Sequence, residues 1–340
     1  MLNTYTTIAA GISLELQDTK RKALSVLIEQ NQLNAQNIEE AKSAIEFNPS
    51  TSEWKSFIDH LLLWAGVLAL SCGLIFFIAA NWQDIGRFAK FAIVEGFIII
   101  SVLAYLRYQN NPLIANGALF CSMLAVGALM ALFGQTYQTG ADPWQLFFNW
   151  ALVVTPWVLV SRFAPIWMLW LALLNVALVL FLTLYYSDTF ILNVMWAASL
   201  GSLIAWHFAA QKLAFLNKAW AIGLLAVYGT YIATFGAADA IFGAYVSDDT
   251  KGLQFVAWLA WLGVIAYLFY MQQRQIFVLA CACFSIVFVL NMVVFRLLDN
   301  NAYELALFIC AGLTIGGGAM STFWLKKLHE EMKAEETSHA

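Results

Sequence analysis

The chain has 340 residues, 62% of them hydrophobic and only 11% charged, with a net charge of −4. Soluble domains carry about 25% charged residues, so a soluble globule is excluded. The small net charge and the lack of a basic block exclude a nucleic-acid binder.

Residues 1–52 are polar and charged rather than basic and then apolar, so a cleaved secretory signal is not expected. Leu24, Leu27 and Ile28 recur at helical spacing, as do Ile38, Ala41 and Ile45. Residues 30–34 read as the turn between them, with Asn34 as the N-cap of the second helix. The pattern predicts a short cytoplasmic amphipathic hairpin, ended by a Pro/Ser linker over residues 48–52. A solvated hairpin and a module that docks a protein partner both fit it.

Long apolar runs follow. Leu61–Trp82, Phe163–Ser187, Thr189–Gln211, Gly252–Gln273, Gln275–Phe295 and Leu305–Leu325 contain no Asp, Glu, Lys or Arg. About 20 apolar residues let a helix cross the hydrocarbon core. The short alternating segments of a barrel are absent, and every backbone polar group in lipid needs an internal partner, so helices are predicted. The fold class is all-α: a polytopic membrane bundle of about ten helices. They are placed near 58–80, 88–106, 113–133, 145–161, 165–186, 190–210, 218–237, 253–272, 275–295 and 303–325. The bundle occupies residues 53–327, and a polar cytoplasmic tail occupies 328–340.

Lysine and arginine orient such a bundle. With the N-terminus cytoplasmic, 13 basic residues fall on the inner side, and Arg87, Lys90, Lys251 and Arg296 fall on the outer side. An even number of spans returns the C-terminus to the cytoplasm. Both termini are therefore expected inside.

The small-residue stripes Gly312/Gly316 and Ala197/Gly201/Ala205 are expected to mark helix contacts. Trp82, Trp144, Trp150, Trp157, Trp167 and Trp170 suit interfacial belts. Asn175, Asn193 and Asn291 read as interhelical hydrogen bonds, and Arg296 and Glu304 as an ion pair bracketing the last outer loop. All five cysteines lie in apolar spans and read as buried small residues; no metal or other cofactor is implied.

The run Trp64-Ala65-Gly66 and then Gly73 to Trp82, ending Ala79-Ala80-Asn81-Trp82, resembles the opening of the DUF2157 family of bacterial membrane proteins. Gly134-Gln135-Thr136-Tyr137 and Trp150-Ala151-Leu152 are similar to that family's second landmark, and the N-terminal hairpin fits it too. The resemblance covers about residues 20–160, with its landmarks within 61–160. It implies a multi-helix inner-membrane protein and supplies no catalytic residues.

Candidate site residues come from the polar seams of the first four spans. Asn81, Trp82, Gln135, Tyr137 and Asn149 lie at or just under the outer surface, and Glu95 lies about 10 Å below it within the second span. A carboxyl in hydrocarbon is costly, so Glu95 is expected to face a protein-lined polar pocket with the other five at its mouth. The competing reading is that Asn81, Gln135 and Asn149 cap helix ends. No Gly-x-Ser-x-Gly, His-Glu-x-x-His or Walker pattern occurs, which argues against an enzyme. Two functional classes stay open, both with the lipid bilayer as surroundings. One is a transporter-like protein that handles a small solute or lipid through the outward-facing pocket, its ligand unspecified. The other is a non-transporting scaffold or sensor that docks a partner through its hairpin.

Overall fold

The computed structural model describes residues 51–243, 248–272, 275–298 and 302–338, without side chains at 248–251, 272 and 333–338. The predicted N-terminal hairpin lies outside the described residues. Ten helices follow: α1 Thr51–Ala80, α2 Arg87–Arg107, α3 Pro112–Tyr137, α4 Pro143–Val160, α5 Ala164–Tyr185, α6 Asp188–Lys212, α7 Ala219–Phe242, α8 Asp248–Ala266, α9 Ile276–Leu298 and α10 Tyr303–Ser338. A 3₁₀ turn, Ala214–Leu216, joins α6 to α7, and α8 runs on as a π-helical stretch, Tyr267–Gln272. Each of the ten, α8 together with its π-helical extension, is long and apolar enough to cross a membrane. The protein is a polytopic membrane bundle.

The chain divides into two units, residues 1–69 with 336–340, and residues 70–335. In the first, Trp54 meets Phe57 edge-on at 6.0 Å, and His60 Nδ1 lies 2.6 Å from the Ser56 carbonyl one turn earlier.

In the second unit, α3 and α7 are hubs. α3 packs between α2 and α4, while α7 is surrounded by α6, α8 and α9. These two helices bury the largest shares of their spans, 50% and 56%, against 6% for α10. Their sequences explain this. A helix enclosed on several sides must let neighbouring backbones close in, and apolar bulk alone gives no preference for protein over lipid. Accordingly α3 buries Ala115, Gly117, Cys121, Ser122, Ala125 and Gly127, and α7 buries Gly223, Ala226, Gly229, Ala233, Gly236 and Ala237.

Those glycines are filled by large partners. A Cβ on Gly127 would strike the Trp150 ring, one on Gly229 the Trp261 ring, and one on Gly236 Gln254 Oε1. The stripes expected from sequence to mark contacts do so only in part: a Cβ on Gly317, next to Gly316, would strike Val287 of α9. A Cβ on Gly201, Gly312 or Gly316 meets nothing within 4 Å, and Gly201, Gly312 and Gly316 are exposed. Three of the six tryptophans expected in belts are tied to backbone carbonyls by their indoles. Trp150 Nε1 donates to the Met123 carbonyl at 2.8 Å, Trp170 Nε1 to the Ala151 carbonyl at 3.2 Å, and Trp167 Nε1 to the Ser161 carbonyl at 3.3 Å. A tryptophan beside a small residue gains more from packing inward and satisfying its N–H than from the interface.

Two of the three asparagines also differ from expectation. Asn175 and Asn291 donate to carbonyls of their own helices, at Leu171 and Val287; Asn193 alone bonds across helices, accepting from Gln254 Nε2 at 2.9 Å. The described residues record no ion pair between Arg296 and Glu304. Among the cysteines, all free, Cys121 is buried while Cys72 is exposed.

The sidedness of the bundle has a direct check. Three helices, α8 to α10, separate the 243–248 connection from the C-terminus. Reporter fusions at these two places are expected on opposite sides of the membrane, with the C-terminus cytoplasmic. Reporters on the same side would remove one span from the count.

Candidate functional site

The first hairpin of the α3 hub builds a cleft from local chain chemistry. α3 ends in Gln138, which takes a left-handed conformation (φ 45°, ψ 51°), and Gly140 follows at φ 64°. Positive φ costs a glycine nothing, so it suits this reversal. Pro143 then opens α4, where its missing N–H is no loss. The reversal sets Gln135 on α3 opposite Gln145 and Asn149 on α4 around a cleft of about 400 Å³. Thr139 and Asp142 complete the rim, and Tyr185 donates from its hydroxyl to Asp142 Oδ2 at 3.4 Å.

The remaining candidates lie elsewhere. Asn81 Nδ2 donates to the Phe77 carbonyl at 2.8 Å and so closes the end of α1. Tyr137 packs on Phe133 (4.8 Å between centroids) and Phe91 (6.0 Å), with the Arg87 guanidinium 5.6 Å from its ring centre. Glu95 is exposed on α2, on the side that carries Phe88, Ala92 and Ile99. It does not line the cleft. The expected pocket around one carboxyl is therefore four separate settings: a cleft holding Gln135 and Asn149, the α1–α2 turn holding Asn81 and Trp82, the Tyr137 ring against Phe91 and Phe133, and an outward-facing Glu95. The reason is rotational: 100° per residue turns Glu95 away from Val94, which is the α2 residue buried against Ile78 and Leu132.

Lys90 is the residue that sequence reasoning passed over. It is 6% exposed; its Nζ donates to the Trp82 carbonyl at 2.6 Å and sits 3.6 Å from the Trp82 ring centre. A cation in the first turn of a helix opposes the helix dipole, so Lys90 requires such a partner. That misplaced cation was the signal available in the sequence. The clamp also explains why a lysine is tolerated on the side otherwise poor in basic residues.

A second polar constellation lies around the α7 hub. Trp261 Nε1 donates to Thr230 Oγ1, and Trp258 Nε1 to Ser285 Oγ, both at 2.9 Å. Thr234 Oγ1 and Ser285 Oγ are 2.6 Å apart. Isolated Thr and Ser residues in apolar spans carry no sequence signal for this arrangement.

Residues 26–167 match the model of DUF2157, described as a predicted membrane protein. No curated protein and no solved structure matches the chain. The DUF2157 segment contains the Lys90–Trp82 clamp, the α3–α4 cleft and Glu95, whereas the indole–hydroxyl network of α7 to α9 lies beyond it.

Proposed function

We propose that the protein is a non-enzymatic membrane scaffold or sensor that docks a protein partner, and that it sits in the bacterial inner membrane with both termini cytoplasmic. Glu95 carries this reading. It is the ninth of the 21 residues of α2, about 12 Å along the helix from Arg87. Its neighbours on that side are apolar and exposed, Phe88 at 75% and Ile99 at 58%. A glutamate side chain is too short to reach the headgroups from there, and a charged residue at that depth costs about 2.5–3.5 kcal/mol on the insertion scale. A partner helix with a hydrogen-bonding group opposite Glu95 removes that cost. The hairpin that the sequence predicts within residues 1–52 would supply a second docking element on this reading. The transporter reading draws its support from the amide-lined α3–α4 cleft.

A photo-crosslinking residue placed at Ile99 tests the choice in native membranes. Docking predicts a discrete protein adduct that Glu95→Leu abolishes and Glu95→Gln largely keeps, since the amide retains hydrogen bonding. Lipid adducts alone, unaffected by either substitution, would count against docking and move attention to the cleft.

A further inference from the structure

On one flank of α7 and α9 a slot of about 680 Å³ opens between the two helices. Its two rims are aromatic pairs at helical i, i+4 spacing. Tyr231 and Phe235 stack on α7 at 6.3 Å and 27°, and Phe284 and Phe288 stack on α9 at 6.4 Å and 27°. The floor between them is built of small residues, with Ala238, Ala280 and Cys281 among the lining side chains. A second cavity of about 450 Å³ shares Phe284 and Phe288 and continues along α9 to Phe295. The trough therefore follows the helices from the middle of α7 to the end that Phe242 occupies.

The floor also contains Thr230, Thr234 and Ser285, and their protons can be assigned. Thr230 Oγ1 donates to the Ala226 carbonyl at 2.8 Å and accepts from Trp261. Thr234 Oγ1 donates to the Thr230 carbonyl at 2.5 Å. The single Ser285 proton then goes to Thr234 Oγ1, while Ser285 accepts from Trp258. Every hydroxyl proton and both indole N–H groups are used within the network. A floor whose hydroxyl and indole donors are all used takes a hydrocarbon without stranding any of them.

From these features we infer that the α7–α9 trough is a binding site for one phospholipid acyl chain, held as an ordered ligand rather than as part of the fluid bilayer. Length supports the assignment. Val227 to Ala238 spans about 16 Å of helix, close to the roughly 15 Å of hydrocarbon in one leaflet of a 30 Å core. The trough runs from mid-span to one helix end, as an acyl chain runs from the bilayer centre to its headgroup. Aromatic rims flank a small-residue floor along the slot. This inference is independent of the docking role proposed for Glu95.

The test uses the full chain in nanodiscs containing a phospholipid with a diazirine on one acyl chain, with adducts mapped by peptide mass spectrometry. Labelling of Tyr231, Phe235, Cys281, Phe284 and Phe288 is expected to exceed that of the exposed sides of α2 and α10 at equal depth by several-fold. A diazirine fatty acid without headgroup is expected to give less of this excess. Ala238→Phe and Ala280→Phe fill the floor and are expected to erase it. Uniform labelling of all exposed faces, or an excess that survives both substitutions, overturns the site. If both variants fail to fold, native mass spectrometry of the wild-type chain decides. One phospholipid kept per chain through detergent exchange supports the site, and a fully stripped chain overturns it.

Discussion

Gly229→Ala is expected to destabilise the bundle more than any other single methyl group added to it. The new Cβ would overlap the Cζ2 and Cη2 atoms of Trp261, a side chain with no solvent exposure. The ring cannot slide aside freely, because its Nε1 is tied to Thr230 Oγ1 and that hydroxyl to the Ala226 carbonyl. Overpacking of this kind costs about 1–3 kcal/mol, and if the ring shifts, the stranded indole N–H adds about 1–3 kcal/mol. Gly201→Ala and Gly312→Ala are the controls. Nothing lies within 4 Å of either added carbon, so changes within about 0.5 kcal/mol are expected. Thermal unfolding in detergent reads all three. In a double-mutant cycle, Trp261→Leu is expected to absorb most of the Gly229→Ala penalty, since the two act at one contact. Equal melting of Gly229→Ala and Gly201→Ala would remove α7 from its role as a hub.

Lys90→Met is expected to give the second large loss. Methionine keeps most of the apolar stem but drops the ammonium that bonds the Trp82 carbonyl and faces the Trp82 ring. A hydrogen bond from a charged donor contributes about 1.5–3 kcal/mol and a desolvated cation–π contact about 2 kcal/mol. Because the two share one ammonium, a combined loss of about 2–4 kcal/mol is expected. Lys90→Arg retains charge and stacking but changes donor geometry, so it should fall in between. Arg87→Met, which removes an exposed guanidinium three residues away, should cost less than about 1 kcal/mol. The readout is again thermal unfolding, with Trp82→Leu as the partner substitution. If Lys90→Met melts with the wild type, the α1–α2 turn is held by its backbone bonds alone. On the docking role proposed for Glu95, the clamp fixes the turn from which α2 presents it.

What the sequence determined follows from properties that do not depend on partners. Length and apolarity set the helices, so the ten predicted spans fall on the ten observed ones within a few residues at most ends, and Pro112, Pro143 and Pro165 stand at helix starts. Capping is equally local. Asn111 accepts from the Leu113 and Ile114 amides, and Asn81 closes α1 through the Phe77 carbonyl. The DUF2157 resemblance was carried by residues in sequence order and needed no contacts.

What only the tertiary structure decided is which side of each helix meets protein. In water a hydrophobic stripe announces its buried face; in a bilayer both faces are apolar, and the pattern no longer separates core from lipid. Pattern alone therefore does not distinguish Gly312 and Gly316, which meet nothing within 4 Å, from Gly127 and Gly229, which receive the indoles, nor show that Trp150 and Trp170 turn inward. The same limit applies to Glu95. Its depth was legible from its position in the span, but its direction depended on how α2 rotates against α3, which places Val94 inward and Glu95 outward. The Thr230–Thr234–Ser285 floor brings α7 and α9 together with the tryptophans of α8. Its members are about 50 residues apart, and only the packed bundle makes them one surface.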